Sequence, residues 1–282
     1  MARPADRHPT RRPASPRPRK EAAPPPPRER EREPGKLFRV AGLAAVSALF
    51  ERDAGRVERL FFDERLKPQV GSFCQQLART RRPYRLVEGD ELARVAGTAM
   101  HGGVVALIEP RPVPAFDPEQ ARAWAAEGRP LLVLDGVGNP HNLGAIVRTA
   151  AFFGLPRILV SDHPGQALPS EASYRVAEGG FEWVEVHRAE RFATALKRLK
   201  DSHRVVGTAL SPRARPLASL KAAGKPIALK PIALVLGNEE EGLPKATMDA
   251  CDEVVVIPGS GHVQSLNVAA TAAILIHTLT GG

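Results

Sequence analysis

Cysteine is scarce in this 282-residue chain: there are two, Cys74 and Cys251. Two such thiols form no disulfide framework and have no metal-ligand spacing. Both read as reduced thiols, with Cys251 packed beside a strand. No apolar run is long enough to span a bilayer, which excludes a transmembrane role. The N-terminus lacks the apolar stretch of a secretory signal, so the expected location is cytoplasmic, with no membrane partner. No His/Cys cluster has zinc spacing, and there is neither a Walker A loop nor a nucleophile elbow. A metal or phosphate-loop enzyme therefore has no supporting motif. The "GVG" at 136–138 lacks the third glycine and following helix pattern of a dinucleotide fingerprint.

What is present is a core and a positive charge. The chain is 43% hydrophobic, and its length leaves room for two domains. The net charge is +9 and the isoelectric point about 10.1, which favours a polyanionic partner. Much of the charge is local. Residues 1–36 hold eleven Lys or Arg against five Asp or Glu, so +6 of the +9 lies there, with ten of the 27 prolines. A segment such as "PPPPRERERE" cannot bury enough apolar surface to offset chain entropy and is expected to be disordered. It reads either as a non-specific RNA-binding arm or as a solvated extension.

From 37 to 109 the pattern is that of a small α/β domain. "VAGLAAVSALFERD" predicts a helix, "RVERLFF" a strand, "LKPQVGSFCQQLARTRR" a helix, "YRLV" a strand, and "GGVVALIEP" a closing strand. The "ARTRRPYR" patch sets four arginines near Tyr84, either as an RNA contact or as a solvated helix end. Residues 110–129 read as a Pro-punctuated linker with a short helix around Trp124. Strands and helices then alternate from 130 to 282, which argues for a parallel sheet with helices on both faces. "KPIAL" occurs twice, at 225–229 and 230–234; only the second copy runs into "VLG" and reads as a strand.

Parallel sheets place ligand sites beyond the carboxyl ends of their strands, and three polar loops fall there. In "DGVGNPHNLGAIVRTA", Asn142 stands where a helix N-cap belongs. Leu143, Ile146, Val147 and Ala150 form one apolar stripe, with Arg148 and Phe152 roughly opposite. Arg148 is either an exposed arginine or a functional cation between two partners of the helix. In "LVLGNEEEGLP", three carboxylates either cap the helix beginning near Pro244 or line a ligand site approached through Gly237 and Gly242. In "IPGSGHVQSLNVAATAAILIHTL", Ser265 and Asn267 sit at the mouth of an apolar helix, as caps or as site residues.

Together, "NPHNLGAIVRTA", "LVLGNEEEGLP" and "IPGSGHVQSLNVAATAAI" resemble motifs 1, 2 and 3 of the SpoU/TrmH branch of the SPOUT RNA methyltransferases. The resemblance covers residues 131–282. "MHGGVVALIEP" resembles the corresponding strand of members with an N-terminal ribosomal-protein-like substrate-binding domain. The resemblance implies an α/β fold: a parallel-sheet SPOUT domain ending in a trefoil knot, preceded by a small α/β RNA-binding domain. It implies methyl transfer from S-adenosylmethionine to a ribose 2′-hydroxyl of RNA, with rRNA favoured over tRNA, by a homodimer joined through the knotted domain. The alternative is a non-catalytic RNA-binding or ribosome-assembly protein that kept the fold.

Carried over residue by residue, Asn142 and Arg148 are the catalytic pair of motif 1. Glu239 is the carboxylate of motif 2, and Ser265 and Asn267 are the polar groups of motif 3. Backbone atoms at Gly237, Ile257 and Leu266 are expected to hold the adenosine. No metal is implied. The family assigns the counterpart of Arg148 as general base. A guanidinium normally stays charged, and its geometry also suits gripping the target phosphate; both roles stay open. Three positions depart from the family pattern. Gly259 stands where many members have Met, Ala269 where Ser often follows "SLNV", and Gln264 where a smaller residue precedes Ser265.

Overall fold

The computed structural model describes residues 37–222, 230–238 and 240–281. The basic tail (1–36), the first "KPIAL" copy and Glu239 lie outside the described residues. The described residues form one compact unit built on two sheets.

The first sheet begins earlier than its sequence pattern suggests. Phe38–Ala41 is strand β1, and helix α1 runs only from Leu43–Asp53. Val40 and Ala41, expected at the head of a single helix, instead pair antiparallel with Ala106 and Val105. Gly42, at φ 96°, makes the break between the two elements. Strand β2 (Val57–Phe62), helix α2 (Gly71–Arg79), strand β3 (Tyr84–Leu86), helix α3 (Gly89–Ala96) and strand β4 (Val104–Ile108) complete this lobe. The sheet order is β1-β4-β2-β3. Helix α3 was not expected. Its pattern is short, and it is anchored by Leu92 and Ala96, both fully buried.

Helix α4 (Pro118–Ala126) bears out the short helix around Trp124 and is capped by the Asp117 side chain. The segment before it bridges to the second sheet, where Ala115 pairs with Arg188. Trp124 packs 4.8 Å from the His187 ring.

The second lobe follows the alternation in the sequence. Its elements are β5 (Leu131–Leu134), α5 (Pro140–Phe152), β6 (Arg157–Val160), α6 (Glu171–Ala177), β7 (Glu185–Arg188), α7 (Phe192–Leu199) and β8 (Arg204–Thr208). There follow β9 (Arg215–Pro216), α8 (Ser219–Ala222), β10 (Ile232–Leu236), α9 (Lys245–Ala250), β11 (Glu253–Val256) and α10 (Val268–Thr280). The seven strands pair in parallel in the order β7-β6-β5-β10-β8-β11-β9. Every residue of β5 is buried, as expected of a central strand covered on both faces. Each such Leu contributes about 2 kcal/mol by leaving water. Cys251 does pack beside a strand, with Sγ against Gly207 of β8, and burial pushes its thiol up to about 12.

The two lobes share a core. Phe38 of β1 meets Tyr174 of α6 edge-on at 5.8 Å, and Tyr174 stacks on Phe181 at 4.4 Å. Beside them Glu182 accepts a hydrogen bond from Arg56 Nη2 at 2.6 Å and forms an ion pair with Arg111, whose Nη2 lies at 2.9 Å. Among the described residues no helix is long and apolar enough to cross a membrane.

Candidate active site

The order of the second sheet sets the place. The chain moves from β5 outward to β6 and β7, then returns so that β10 lies between β5 and β8. Such a reversal opens a crevice at the carboxyl ends of the neighbouring strands. Residues 135–139 leave β5 there, residues 237–244 leave β10, and residues 257–267 follow β11.

Asn139, and not Asn142, is the N-cap of α5; its side chain accepts from His141 N at 2.8 Å. Pro140 fixes the reason, because it occupies the first helical turn, where its missing N–H costs nothing. Asn142 is thus displaced into the helix. Its Oδ1 accepts a 3.1 Å bond from Asn267 Nδ2, joining motif 1 to motif 3 across 125 residues. Asn267 is also the cap of α10: its Oδ1 accepts from Ala269 N at 2.9 Å and Ala270 N at 3.4 Å. One side chain therefore caps α10 through its oxygen and ties α10 to α5 through its amide nitrogen. Ser265 and Leu266 lie in an exposed loop beside this pair.

The second loop joins the first by separate contacts. Asn238 Nδ2 donates to Gly136 O at 3.0 Å, and Thr247 Oγ1 donates to the buried Asp135 carboxylate at 2.6 Å. The Asn238 carboxamide oxygen accepts from the amides of Glu240 and Glu241, a local Asx turn. Gly237 and Gly242 serve that turn. Asn238 and Gly242 exchange backbone bonds of 3.1 and 3.0 Å, and a Cβ on Gly237 would collide with the Gly242 carbonyl. The first turn of α9 holds no acidic residue, so neither Glu240 nor Glu241 caps it in the way the sequence allowed. Asn238, Asp135 and Thr247 were not anticipated as organisers of the site. The Asn before the carboxylate run was the one available signal for the first of them.

Arg148 lies on the opposite side of α5 from the fully buried stripe of Leu143, Ile146, Val147 and Ala150. It forms an ion pair with Glu178, Nη2 to Oε2 at 2.8 Å, and both side chains are half exposed. One turn on, Phe152 is 82% exposed, an uncommon environment for a phenylalanine. The structure thus brings Asn142 and Asn267 together and sets Arg148 towards α6.

The third loop is the most open part of the site. Residues 258–267 are all exposed, including Val263 and Leu266. Among the described residues, no backbone–backbone hydrogen bond is made by 258–266. Apart from the His262 amide, which donates to Ser260 Oγ at 3.4 Å, the loop offers exposed backbone groups beside two apolar side chains, a combination that suits the edge and face of an adenine ring. Ile257, half-buried, closes the loop against the core. That donor set fits an adenosyl cofactor held by backbone atoms.

In the first lobe, Arg82 is spent on structure: it donates to the carbonyls of Gly55 and Val57 and pairs with Glu58. Arg85 pairs with Glu91. Arg79, Arg81, Tyr84 and Arg85 are exposed, so of the four arginines in the patch only Arg82 is partly buried.

A small α/β lobe joined to a parallel α/β lobe, with three polar loops meeting at the carboxyl edge, defines a two-lobed enzyme whose groups suit an adenosyl ligand and a polyanion. Family comparison gives the same division. Residues 129–277 match the SpoU rRNA methylase family, and residues 39–114 match the substrate-binding domain of RNA 2′-O-ribose methyltransferases. The chain is 33% identical over 242 residues to the 23S rRNA (guanosine-2′-O-)-methyltransferase RlmB of Acinetobacter baylyi, covering 84% of this chain and 94% of that protein. It is 32% identical over 245 residues to the uncharacterized tRNA/rRNA methyltransferase YfiF of Escherichia coli O157:H7, covering 87% of this chain and 68% of that one. In fold it is similar to the AdoMet-bound rRNA methyltransferase of Sinorhizobium meliloti, with a TM-score of 0.69, 24% identity, and 86% and 87% of the two chains covered. The chain belongs to the SpoU family of RNA 2′-O-ribose methyltransferases.

Proposed function

We propose that this protein transfers the methyl group of S-adenosylmethionine to a ribose 2′-hydroxyl of 23S rRNA in the cytoplasm. The observation that carries the reading is the Asn142–Asn267 bond, which joins motifs 1 and 3 beside an open loop of exposed backbone groups. The choice of 23S rRNA, with guanosine as the first nucleotide to test, rests on the relatives named RlmB.

S-adenosylmethionine supplies an electrophilic methyl on a sulfonium. The protein's part is alignment, because in-line displacement is governed chiefly by the position of the 2′-oxygen. Backbone groups at Gly237, Ile257 and Leu266 hold the adenosine. Asn142 and Asn267 fix each other and present amide groups to the ribose, with Ser265 beside them. Glu239 is the motif 2 carboxylate. Arg148, paired as a cation with Glu178, grips the phosphate of the target nucleotide and turns its 2′-hydroxyl toward the methyl. We assign it this orienting role ahead of proton abstraction, because a guanidinium facing a carboxylate acts as a cation.

A second copy of the chain is expected to cover the α5/α10 face. Phe152 is 82% and Ile274 39% exposed there, and Phe153 lies 6.0 Å from His277. Arg148 shares the outer side of α5 with Phe152, so a homodimer would complete the surroundings of Arg148. The knot of the second and third loops is part of the same proposal. Labelled S-adenosylmethionine offered in parallel with unmodified 23S rRNA, 16S rRNA and tRNA tests the reading. Label in 23S rRNA alone is expected. Label in tRNA alone would reassign the substrate, and no label in any pool would favour a non-catalytic RNA-binding protein.

A further inference from the structure

Glu178 is one of three non-glycine residues with positive φ among the described residues, at φ 45° and ψ 46°. That left-handed conformation costs a residue with a Cβ about 1 kcal/mol or more and persists only where its surroundings hold it. They do so from both sides. Glu178 ends α6 and is followed by Gly179 and Gly180. A Cβ on Gly179 would stand 3.0 Å from Ala48 and 3.1 Å from Ala45 Cα of α1. One on Gly180 would stand 3.2 Å from Val147 and 3.3 Å from Arg148 Cα of α5. Two residues further, Glu182 is locked by Arg56 and Arg111. The turn carrying Glu178 is therefore clamped between the substrate lobe and the helix that carries Arg148, and it delivers a carboxylate to within 2.8 Å of the guanidinium.

A loop end needing only to leave α6 would take glycine at this position at no steric cost, as it does at the next residue. Glu178 bears the strain and places its charge on Arg148. We propose that Glu178 is a positioning residue for methyl transfer: its carboxylate holds the Arg148 guanidinium in the orientation that meets the target phosphate. This rests on the assignment of Arg148 to substrate under the proposed function. The clamp also makes the turn the physical link between the RNA-binding lobe and Arg148.

The test uses the full chain with labelled S-adenosylmethionine, unmodified 23S rRNA, and the variants Glu178→Gln and Glu178→Gly. The glycine variant removes the carboxylate while relieving the left-handed backbone, so it should fold at least as well as wild type. The expected result is a fall in kcat of about tenfold in both variants. Cofactor affinity, measured by calorimetry without RNA, should be unchanged. Glu178→Asp, which keeps a carboxylate, should recover part of kcat. A purely structural role would let Glu178→Gly match or exceed wild type, and that result overturns the proposal. Tighter RNA binding with undiminished kcat also overturns it, because Glu178 would then only compete with phosphate for Arg148. An inactive wild type would defeat the proposed function together with this role; an active wild type with unimpaired variants would defeat the role of Glu178 alone.

Discussion

Replacing Glu182 by alanine should loosen the junction between the two lobes more than any nearby surface change. Glu182 is 5% exposed and Arg56 9% exposed. Burial pushes the Glu182 carboxyl above its ordinary value, with Arg56 and Arg111 pulling against it. For Arg56 burial is the largest influence and acts downward, but Glu182, Tyr174 and Asp53 together outweigh it, so the guanidinium stands above its ordinary value. Two guanidinium groups, at 2.6 and 2.9 Å, face this buried carboxyl. In Glu182→Ala, Arg56 keeps its burial, its bond to Tyr174 and its contact with Asp53, a partly exposed carboxylate that it shares with Arg111, but loses its buried counter-charge. Breaking a buried pair in this way costs about 3–5 kcal/mol. At roughly 2–4 °C per kcal/mol for a unit of this size, Tm should fall by about 6–20 °C. Urea unfolding followed by the fluorescence of Trp183, which lies under Arg52 of α1, and of Trp124 in the second lobe reads the junction and one lobe together. The double replacement Arg56→Met with Glu182→Leu should recover most of that loss, because apolar pairs often match buried ion pairs. A Glu182→Ala protein within about 1 kcal/mol of wild type would refute the view that this network holds the lobes together.

Other perturbations have equally definite outcomes. His203 is 1% exposed, its Nε2 has no partner among the described residues, and burial lowers it from 6.5 to about 4. The unfolded chain therefore takes up a proton that the folded protein refuses. Stability contributed by the neutral ring is full above pH 6.5 and is lost as pH falls toward about 4, by about 3 kcal/mol. Tm against pH for wild type and His203→Leu should diverge across that window; parallel curves would contradict the assignment. A Cβ on Gly144 would collide with the Ser173 carbonyl of α6, so Gly144→Ala should cost roughly 1–3 kcal/mol and separate α5 from α6. Chemical denaturation checks it, and an unchanged midpoint would contradict it. Asn267→Ala should lose about 1 kcal/mol of helix capping and, through its lost bond to Asn142, most methyl transfer; Asn267→Asp should keep the cap and still fail in catalysis.

The alternation of the second lobe was legible because buried parallel strands are short apolar runs separated by helices. The whole set from β5 to α10 follows it, apart from the two-residue β9 and the one-turn α8. The first lobe was harder for a local reason. Val40 and Ala41 are as apolar as the helix that follows, and only the pairing with β4, more than 60 residues on, assigns them to a strand. The N-cap of α5 was placed three residues late, because Asn142 and Asn139 both suit a cap and the deciding feature is Pro140. Asn142, Arg148, Ser265 and Asn267 stand out in the sequence only through their resemblance to the family pattern. The contact between Asn142 and Asn267 was not legible, since it depends on how the loops after β5 and β11 meet. Glu178 had no local signal at all: its partner is 30 residues away, and its strained backbone appears only in three dimensions.

The most direct test of the central claim is the identity of the labelled nucleoside after wild type and Arg148→Ala act on unmodified 23S rRNA with labelled S-adenosylmethionine. Complete digestion and mass spectrometry should find the label in a 2′-O-methylated nucleoside for wild type. Arg148→Ala should yield none while binding the cofactor as tightly as wild type. Label in a base-methylated nucleoside, or retained turnover by Arg148→Ala, would contradict the account.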